Sequence, residues 1–559
     1  MRQWLAAASR GISTNVVAGN FALNANTSGA NNTGVGDSAL RTNTIGDGNV
    51  AVGSQALYAN TTGANNVAVG YNSLLANTIG DKNIAVGKNA LGANTTGAEN
   101  VAVGHLALDA ATVGINNIGV GSGALGALTT GNDNVAIGQG ALDAATTAID
   151  NVAIGSNALG ANTVGTDNIA IGDDALLAAV TAINNVAIGG DAMKTATAGD
   201  GNVAVGAFAM DASTTSTTNV AVGLDALGAT TTGSANVAIG SSAMKATVSA
   251  TNSVAVGKDA MLVATAGDNN VAVGSTAMNA STTSTNNVAV GFNSMGATTT
   301  GSANVAVGAN ALAATVSATN SVAVGKDAML VATAGDNNVA VGATAMNACT
   351  TANNCTAVGF DALGSVTTAV QNTAVGSGAG STVTTGARNT LIGYDAEPLA
   401  ATSVDQIVIG ATAVGVADNA VIIGKSGAAI RCDYGTDATW DQASDLRFKN
   451  VIGPSKLGLS FIQRINPFEY TKKPTREWPK EWGVNPESSV DTETPILGMA
   501  AQEVLQALVA EGNNTFHGWC QDPNGMQRIG ESAFIYPLIN AVKELAEKCT
   551  KLEAKLKHA

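Results

Sequence analysis

The stretch Gly53-Ser54-Gln55-Ala56-Leu57-Tyr58-Ala59-Asn60-Thr61-Thr62-Gly63-Ala64-Asn65-Asn66-Val67-Ala68-Val69-Gly70 decides the fold of this chain. Val67 and Val69 alternate with Ala68, the two-residue period of a strand with one buried face. Ala56 and Leu57 form a second short apolar element. Between the two lies Asn60-Thr61-Thr62-Gly63, where Asn and Gly accept the positive φ that tight turns require. The unit reads as one coil of two short strands and two turns. The two valines are expected to face the core and Ala68 to face outward.

The unit recurs. A glycine closes the same block at Gly19, Gly36, Gly53, Gly70 and onward to Gly410, giving 24 glycines on a 17-residue period without slippage. Leu or Met stands four residues after the block glycine in every coil from Leu23 to Leu363. A fixed period of this kind marks a stacked repeat architecture. One coil cannot offset the entropy of ordering its own residues, so stability has to come from stacking on neighbours. The expected fold is mainly β: a parallel β-solenoid, or β-roll, of 24 coils, roughly 110 Å long at about 4.8 Å per ladder step. A column of outward Ala along such a rod invites a second copy to pack closely, most simply as a parallel trimer. Residues 258–274 and 326–342 are identical and lie four coils apart, which points to tandem duplication of four-coil blocks.

Composition agrees. Of 559 residues 66 are Gly, 45% are hydrophobic and only 4% aromatic. That suits thin repeated layers better than a globular core. The net charge is −15, of which −12 falls in residues 1–431. An acidic surface repels phosphate, so neither nucleic acid nor an anionic membrane is an expected partner. The longest apolar run is far short of a membrane span, and the apolar stretch near Met1 is too short for a signal peptide, so no membrane insertion is expected. Five Cys show no metal spacing, and no metal or cofactor is expected; Cys349 and Cys355 could pair across one loop, with free thiols the simpler reading. Asp173-Asp174 could be a carboxylate pair for glycan hydrolysis, but adjacent acids on a loop read more simply as a solvated turn. The Asn and Thr ladders could bind sugar or ice, or could simply stabilise the turns.

The array ends unevenly. Gly380 takes the Leu/Met position, Pro398 interrupts the next coil, and Gly424 follows Gly410 too soon to keep the period. Tyr394, Tyr434 and Trp440 appear here and are candidate contacts at a distal tip, with capping of the last coil as the structural alternative. Beyond Gly424 lie eight of the nine Pro and four of the five Trp. The expected organisation is an N-terminal attachment segment 1–14, a repeat shaft 15–424, a transition 425–443 and a C-terminal domain 444–559. In the last helix, expected over 534–557, Ile535, Val542, Cys549 and Leu556 take heptad position a, and Leu538, Leu545 and Leu552 take position d. This seam predicts a short parallel coiled coil.

Two resemblances follow from these residues. The blocks Asn66-Val67-Ala68-Val69-Gly70 and Asn252-Ser253-Val254-Ala255-Val256-Gly257 resemble the head repeats of YadA-type trimeric autotransporter adhesins. That implies a left-handed roll packed as a trimer. The period here is a few residues longer, with the surplus in the Thr/Gly turn. The C-terminal blocks Ser444-Asp445-Leu446-Arg447-Phe448-Lys449, Gly498-Met499-Ala500-Ala501-Gln502-Glu503-Val504 and the final helix resemble, in this order, the intramolecular chaperone family first described on phage endosialidases. The resemblance implies a domain that trimerises, sets the register of a β-rich shaft, and is released by self-cleavage. By motif position Ser444 would be the nucleophile, Lys449 its base, and Ala443–Ser444 the scissile bond. Independently of the family, a Ser hydroxyl needs such a base, and a nearby cation such as Arg447 would lower the lysine pKa. Asp445 and Arg447 would support the pair; the alternative is that Ser444 and Asp445 cap a helix and Lys449 is solvated.

Together these imply a homotrimeric phage tail fibre, synthesised in the host cytoplasm and carried on the virion. Its N-terminus would dock to a baseplate or tail adaptor, and its shaft or tip would meet a host surface receptor, glycan or protein. A bacterial trimeric surface adhesin is the alternative, and a glycan depolymerase a more distant one. Apart from single-turnover autoproteolysis, no enzyme activity is expected.

Overall fold

The computed structural model describes residues 14–425, 428–433, 440–442, 453–480, 486, 490–514, 516–522 and 525–558. The chain divides into two compact units, Met1–Ala443 and Ser444–Ala559.

The first unit is a parallel β-solenoid. Each coil contributes one three-residue strand, from β1 (Val16–Ala18) to β24 (Ile407–Ile409). Each strand pairs in parallel with the next at an offset of one period, as in Val50↔Val67 and Thr390↔Ile407. The expected second strand does not form. Around Leu57 the chain instead runs through left-handed conformations, with φ +59° at Gln55 and +53° at Leu57. The Leu57 N–H still donates to the next coil, reaching the Ser73 carbonyl at 2.9 Å. This geometry explains the composition of the column. A β-branched side chain is strongly disfavoured at positive φ, so Leu and Met occupy it while Val and Ile stay in the strands.

The facing of the strands is the reverse of the expectation. Ala68 is fully buried, as is its counterpart in nearly every coil, whereas Val52, Val86, Val222 and Val341 stay more than a third exposed. The coil is too narrow for two inward valines. Its interior already holds Ala56, Leu57, Asn60 and Asn66, all at 0% exposure. A methyl group is what remains to be fitted, and Ala68 supplies it.

Polar ladders run through this interior. Asn66 Nδ2 donates to the Gly80 carbonyl at 2.8 Å, and its Oδ1 accepts the Asn83 N–H at 2.9 Å. Asn60 Nδ2 donates to Asn43 Oδ1 at 2.7 Å. The Asn66 amide therefore bonds backbone groups of the next coil, while Asn60 links side chains between coils and holds the Gly63 carbonyl of its own turn. On the turn, Thr61 Oγ1 donates to the Thr78 carbonyl at 3.0 Å. The block glycine is required by both space and conformation. At Gly274 φ is +137°, and a Cβ would lie 2.4 Å from the Gly291 carbonyl oxygen. Cys349 and Cys355 are buried free thiols, and burial pushes Cys349 up to about 11.

The last coils change packing. Gly380 removes the large aliphatic, and Leu391 replaces the inward alanine opposite, so the lost volume returns from the other side of the coil. The final, shortened coil still closes in parallel, with Ile407 opposite Val421 in β25 (Ala420–Lys425). The chain then reverses into antiparallel β26 (Ala428–Asp433) and β27 (Trp440–Gln442).

The second unit is small and mixed. Helix α1 (Leu459–Ile462), α2 (Ala501–Ala510) and α3 (Ile535–His558) accompany two antiparallel strand pairs, β28 (Phe468–Tyr470) with β29 (Ile496–Gly498) and β30 (Trp519–Gln521) with β31 (Gln527–Ile529). Its core gathers Leu457, Phe461, Val504, Leu508 and Phe534. The Phe461, Phe516 and Phe534 rings lie 5.1 to 6.1 Å apart in edge-on and stacked pairs.

Candidate functional site

Helix α3 carries the most conspicuous unpartnered surface of the second unit. Its first turn tolerates Pro537, because the early helical N–H groups have no intrahelical acceptor. One face is anchored to the domain. Ala541 is buried, Asn540 Nδ2 donates to the Leu457 carbonyl at 3.0 Å, and Glu544 accepts the Leu459 N–H at 3.2 Å. From Leu545 to Lys557 every residue is exposed. The heptad positions lie along this free surface: Ile535, Leu538, Val542, Leu545, Leu552 and Leu556 are all at least half exposed, and Cys549 is exposed with them. A helix standing clear of its domain gains little from propensity alone, and this apolar heptad stripe lies uncovered along it. At its base the seam runs into a groove of about 270 Å³ lined by Ile462, Ile465, Pro467, Met499, Ile535 and Leu538.

The first unit has a second surface of this kind. The strand positions flanking the buried Ala form two parallel columns of Val and Ile along all 24 strands. Only Thr33, Thr356, Thr373 and Thr390, plus Ala18, interrupt them, and no charge does. At about 110 Å by roughly 10 Å, this face covers on the order of 1,100 Å². That exceeds the few hundred Å² of apolar patch usual on a monomer and reaches the ~800 Å² per partner of a standard interface.

The other sequence-derived residues fall as follows. Tyr394 is 58% exposed, and its hydrogen bond to the Asp395 carboxylate pushes the phenol up from its ordinary value. Trp440 opens β27, and Tyr434 lies outside the described residues. Ala443, Ser444, Asp445, Arg447 and Lys449 also lie outside them, as do residues 1–13 of the N-terminal segment. Asp174 sits on a turn, and the ammonium of Lys194 at 2.9 Å holds its carboxyl below the usual range. Among the described residues no helix is long and apolar enough to cross a membrane.

Comparison with protein-family models, curated proteins and solved structures finds no match to this chain.

Proposed function

We propose that this chain is a self-assembling homotrimeric fibre protein for attachment to a host surface, carried on a phage virion. The observation that carries the reading is the exposed heptad seam of α3, from Ile535 to Leu556, at the end of a chain whose coils are nearly interchangeable. Coils of equal length and similar sequence can pair in many registers. A short trimer clamp at the C-terminus would bring three chains into one register before the slow, non-local pairing of the array. The Val/Ile columns then offer a face on which aligned copies can pack.

Release of the clamp rests on the resemblance of Ser444 to Lys449 to the self-cleaving chaperone motif. In this reading Ser444 Oγ attacks the carbonyl of Ala443, Lys449 takes the hydroxyl proton and passes it to the Ser444 nitrogen as the Ala443–Ser444 peptide bond breaks, and water then hydrolyses the resulting ester to free the Ala443 carboxylate and the Ser444 hydroxyl. The shaft is then left trimeric without the domain that aligned it.

Two measurements on the full chain test these steps separately. On a denaturing gel, wild type is expected to give fragments near residues 1–443 and 444–559, with Ser444→Ala and Lys449→Ala remaining whole. In light scattering, Ser444→Ala is expected at three times the chain mass, and adding Leu545→Glu in the seam should abolish that state. Intact wild type sinks the cleavage step, and a trimer that tolerates Leu545→Glu sinks the clamp.

A further inference from the structure

The solenoid keeps aromatic rings out of its core. Residues 14–425 contain seven, and each stands one, two or five positions after a block glycine. The second and fifth positions share one edge of the rod, since the Arg41 guanidinium lies 5.0 Å from the Phe21 ring and 5.7 Å from the Tyr58 ring, and the first position borders the second, as where the Lys326 ammonium pairs with Asp327. Within that edge one column is ordered further. From Ala207 to Ala411, the residue immediately after the block glycine alternates without exception between Ala or Ser in one coil and a large side chain in the next. The large members are Leu224, Lys258, Phe292, Lys326, Phe360 and Tyr394, each two coils from the last.

These side chains project into solvent. Phe292 and Phe360 are each 60% exposed, and Leu224 is 50% exposed. The result is a row of ridges separated by small-residue gaps, two coils or about 10 Å apart. Duplication of four-coil blocks copies such a pattern but does not create alternation within a block. Crowding does not impose it either, because Tyr71, Lys88 and His105 fill the same position in three successive coils.

We infer that this edge, from Leu224 to Tyr394, is a linear binding site for an extended β-linked glycan. The apolar ridges each carry a hydrogen-bonding group on the next residue: Asp225, Asn293, Asp361 and Asp395. A ring stacks on the C–H face of a pyranose while the adjacent carboxylate or carboxamide meets its hydroxyls. A two-coil step is close to the length of two linked pyranoses. A chain with a two-residue repeat therefore offers the same face to each ridge in turn. The lysines do not make the edge a trap for polyanions, because Lys258 pairs with Asp259 at 3.7 Å and Lys326 pairs with Asp327. An extended peptide fits less well, since the strand ladder spends its backbone groups on the neighbouring coils and leaves no free edge alongside the ridges. The inference deepens the attachment reading by naming a ligand class and its site, and rests on that reading for the display of the rod at a surface.

The test uses the full chain on an array of immobilised cello-, xylo- and chito-oligosaccharides of graded length, with α-linked malto-oligosaccharides and proline-rich peptides beside them. Binding to a β-linked series is expected, strengthening in steps of two sugars. The double variant Phe292→Ala/Phe360→Ala should lose about a hundredfold in affinity, the burial of two rings, while mass and melting temperature stay unchanged. No binding to any β-linked series, binding to the peptides or malto-oligosaccharides instead, or an unaltered double variant overturns the proposal. Loss of the trimer in that variant would also overturn it, assigning the rings to contacts between copies and leaving the fibre reading intact.

Discussion

The two units handle unpaired surface in opposite ways. In the solenoid each coil hands its hydrogen-bonding needs to the next. Asn66 serves Gly80 and Asn83, Thr61 serves Thr78, and Leu57 serves Ser73. Most of the interior is satisfied within one chain, with the Asn94 Oδ1 and the hydroxyls of Thr230, Thr247, Thr298 and Thr315 left buried without a partner. In the C-terminal domain the small aromatic core is complete, but α3 leaves its heptad residues in solvent. The first unit specifies a fold and leaves the alignment of several chains open. The second has little fold to spare and a surface that can specify alignment. Under the proposed trimer, this difference would separate building a rod from registering it.

The largest expected effect that would break this comparison is steric. Gly274→Val places a side chain where a Cβ already meets backbone at 2.4 Å, in a conformation that β-branched residues avoid. A loss of about 4 kcal/mol or more is expected. Calorimetry should show the solenoid transition collapse while that of residues 444–559 stays in place. If both fall together, the units are not independent.

Asn66→Ala is expected to cost less, about 1–3 kcal/mol, by leaving the Asn83 N–H buried without an acceptor and the Gly80 carbonyl with only the Asn77 amide. Asn66→Ser should recover part of this, since Ser253 holds the corresponding place and its Oγ accepts the Asn270 N–H at 3.2 Å. Chemical denaturation of the three proteins measures the order; equal stabilities would mean that the ladder contributes little.

The smallest effect sharpens the comparison electrostatically. Burial pushes the Asp109 and Asp211 carboxyls above their ordinary value, assisted by Asp143 for the first and by Asp225 and Asp191 for the second. A raised folded pKa stabilises below the unfolded pKa, and the benefit is lost as pH rises through the folded one. The rod should therefore gain stability on acidification from neutral pH toward the carboxylate range. Asp109→Asn/Asp211→Asn should flatten that slope and raise the neutral melting temperature by a few degrees at most. A slope that survives the double substitution would trace instead to the net acidity of the rod.

The legible and illegible parts of the sequence divide along the same physical lines. The period and the Leu/Met column are visible because both recur with no exception from Leu23 to Leu363. The α3 seam is visible because heptad spacing is a local property. The inward face of Val67-Ala68-Val69 is not. Alternation shows that Val and Ala lie on opposite faces, and only the width of the coil decides which is inside. The buried Asn columns carry that information, because an Asn repeated just before the strand in nearly every coil makes little sense on a solvated surface. Ala56-Leu57 looks extended in sequence and suggests a second strand, whereas the preference for Leu and Met, which are not branched at Cβ, is itself a signature of positive φ. The alternating edge escapes notice when coils are compared along the chain rather than position by position across coils.

The ladder of Asn, Thr and glycine contacts also makes length a heritable variable. Removing or inserting whole coils exchanges one neighbour for an equivalent one and leaves both ends of the unit as they were. The identical segments 258–274 and 326–342 show such an edit in this chain. A lineage carrying this protein can thus change its reach in increments of about 19 Å per four-coil block, without redesigning a core, a cap or a binding step.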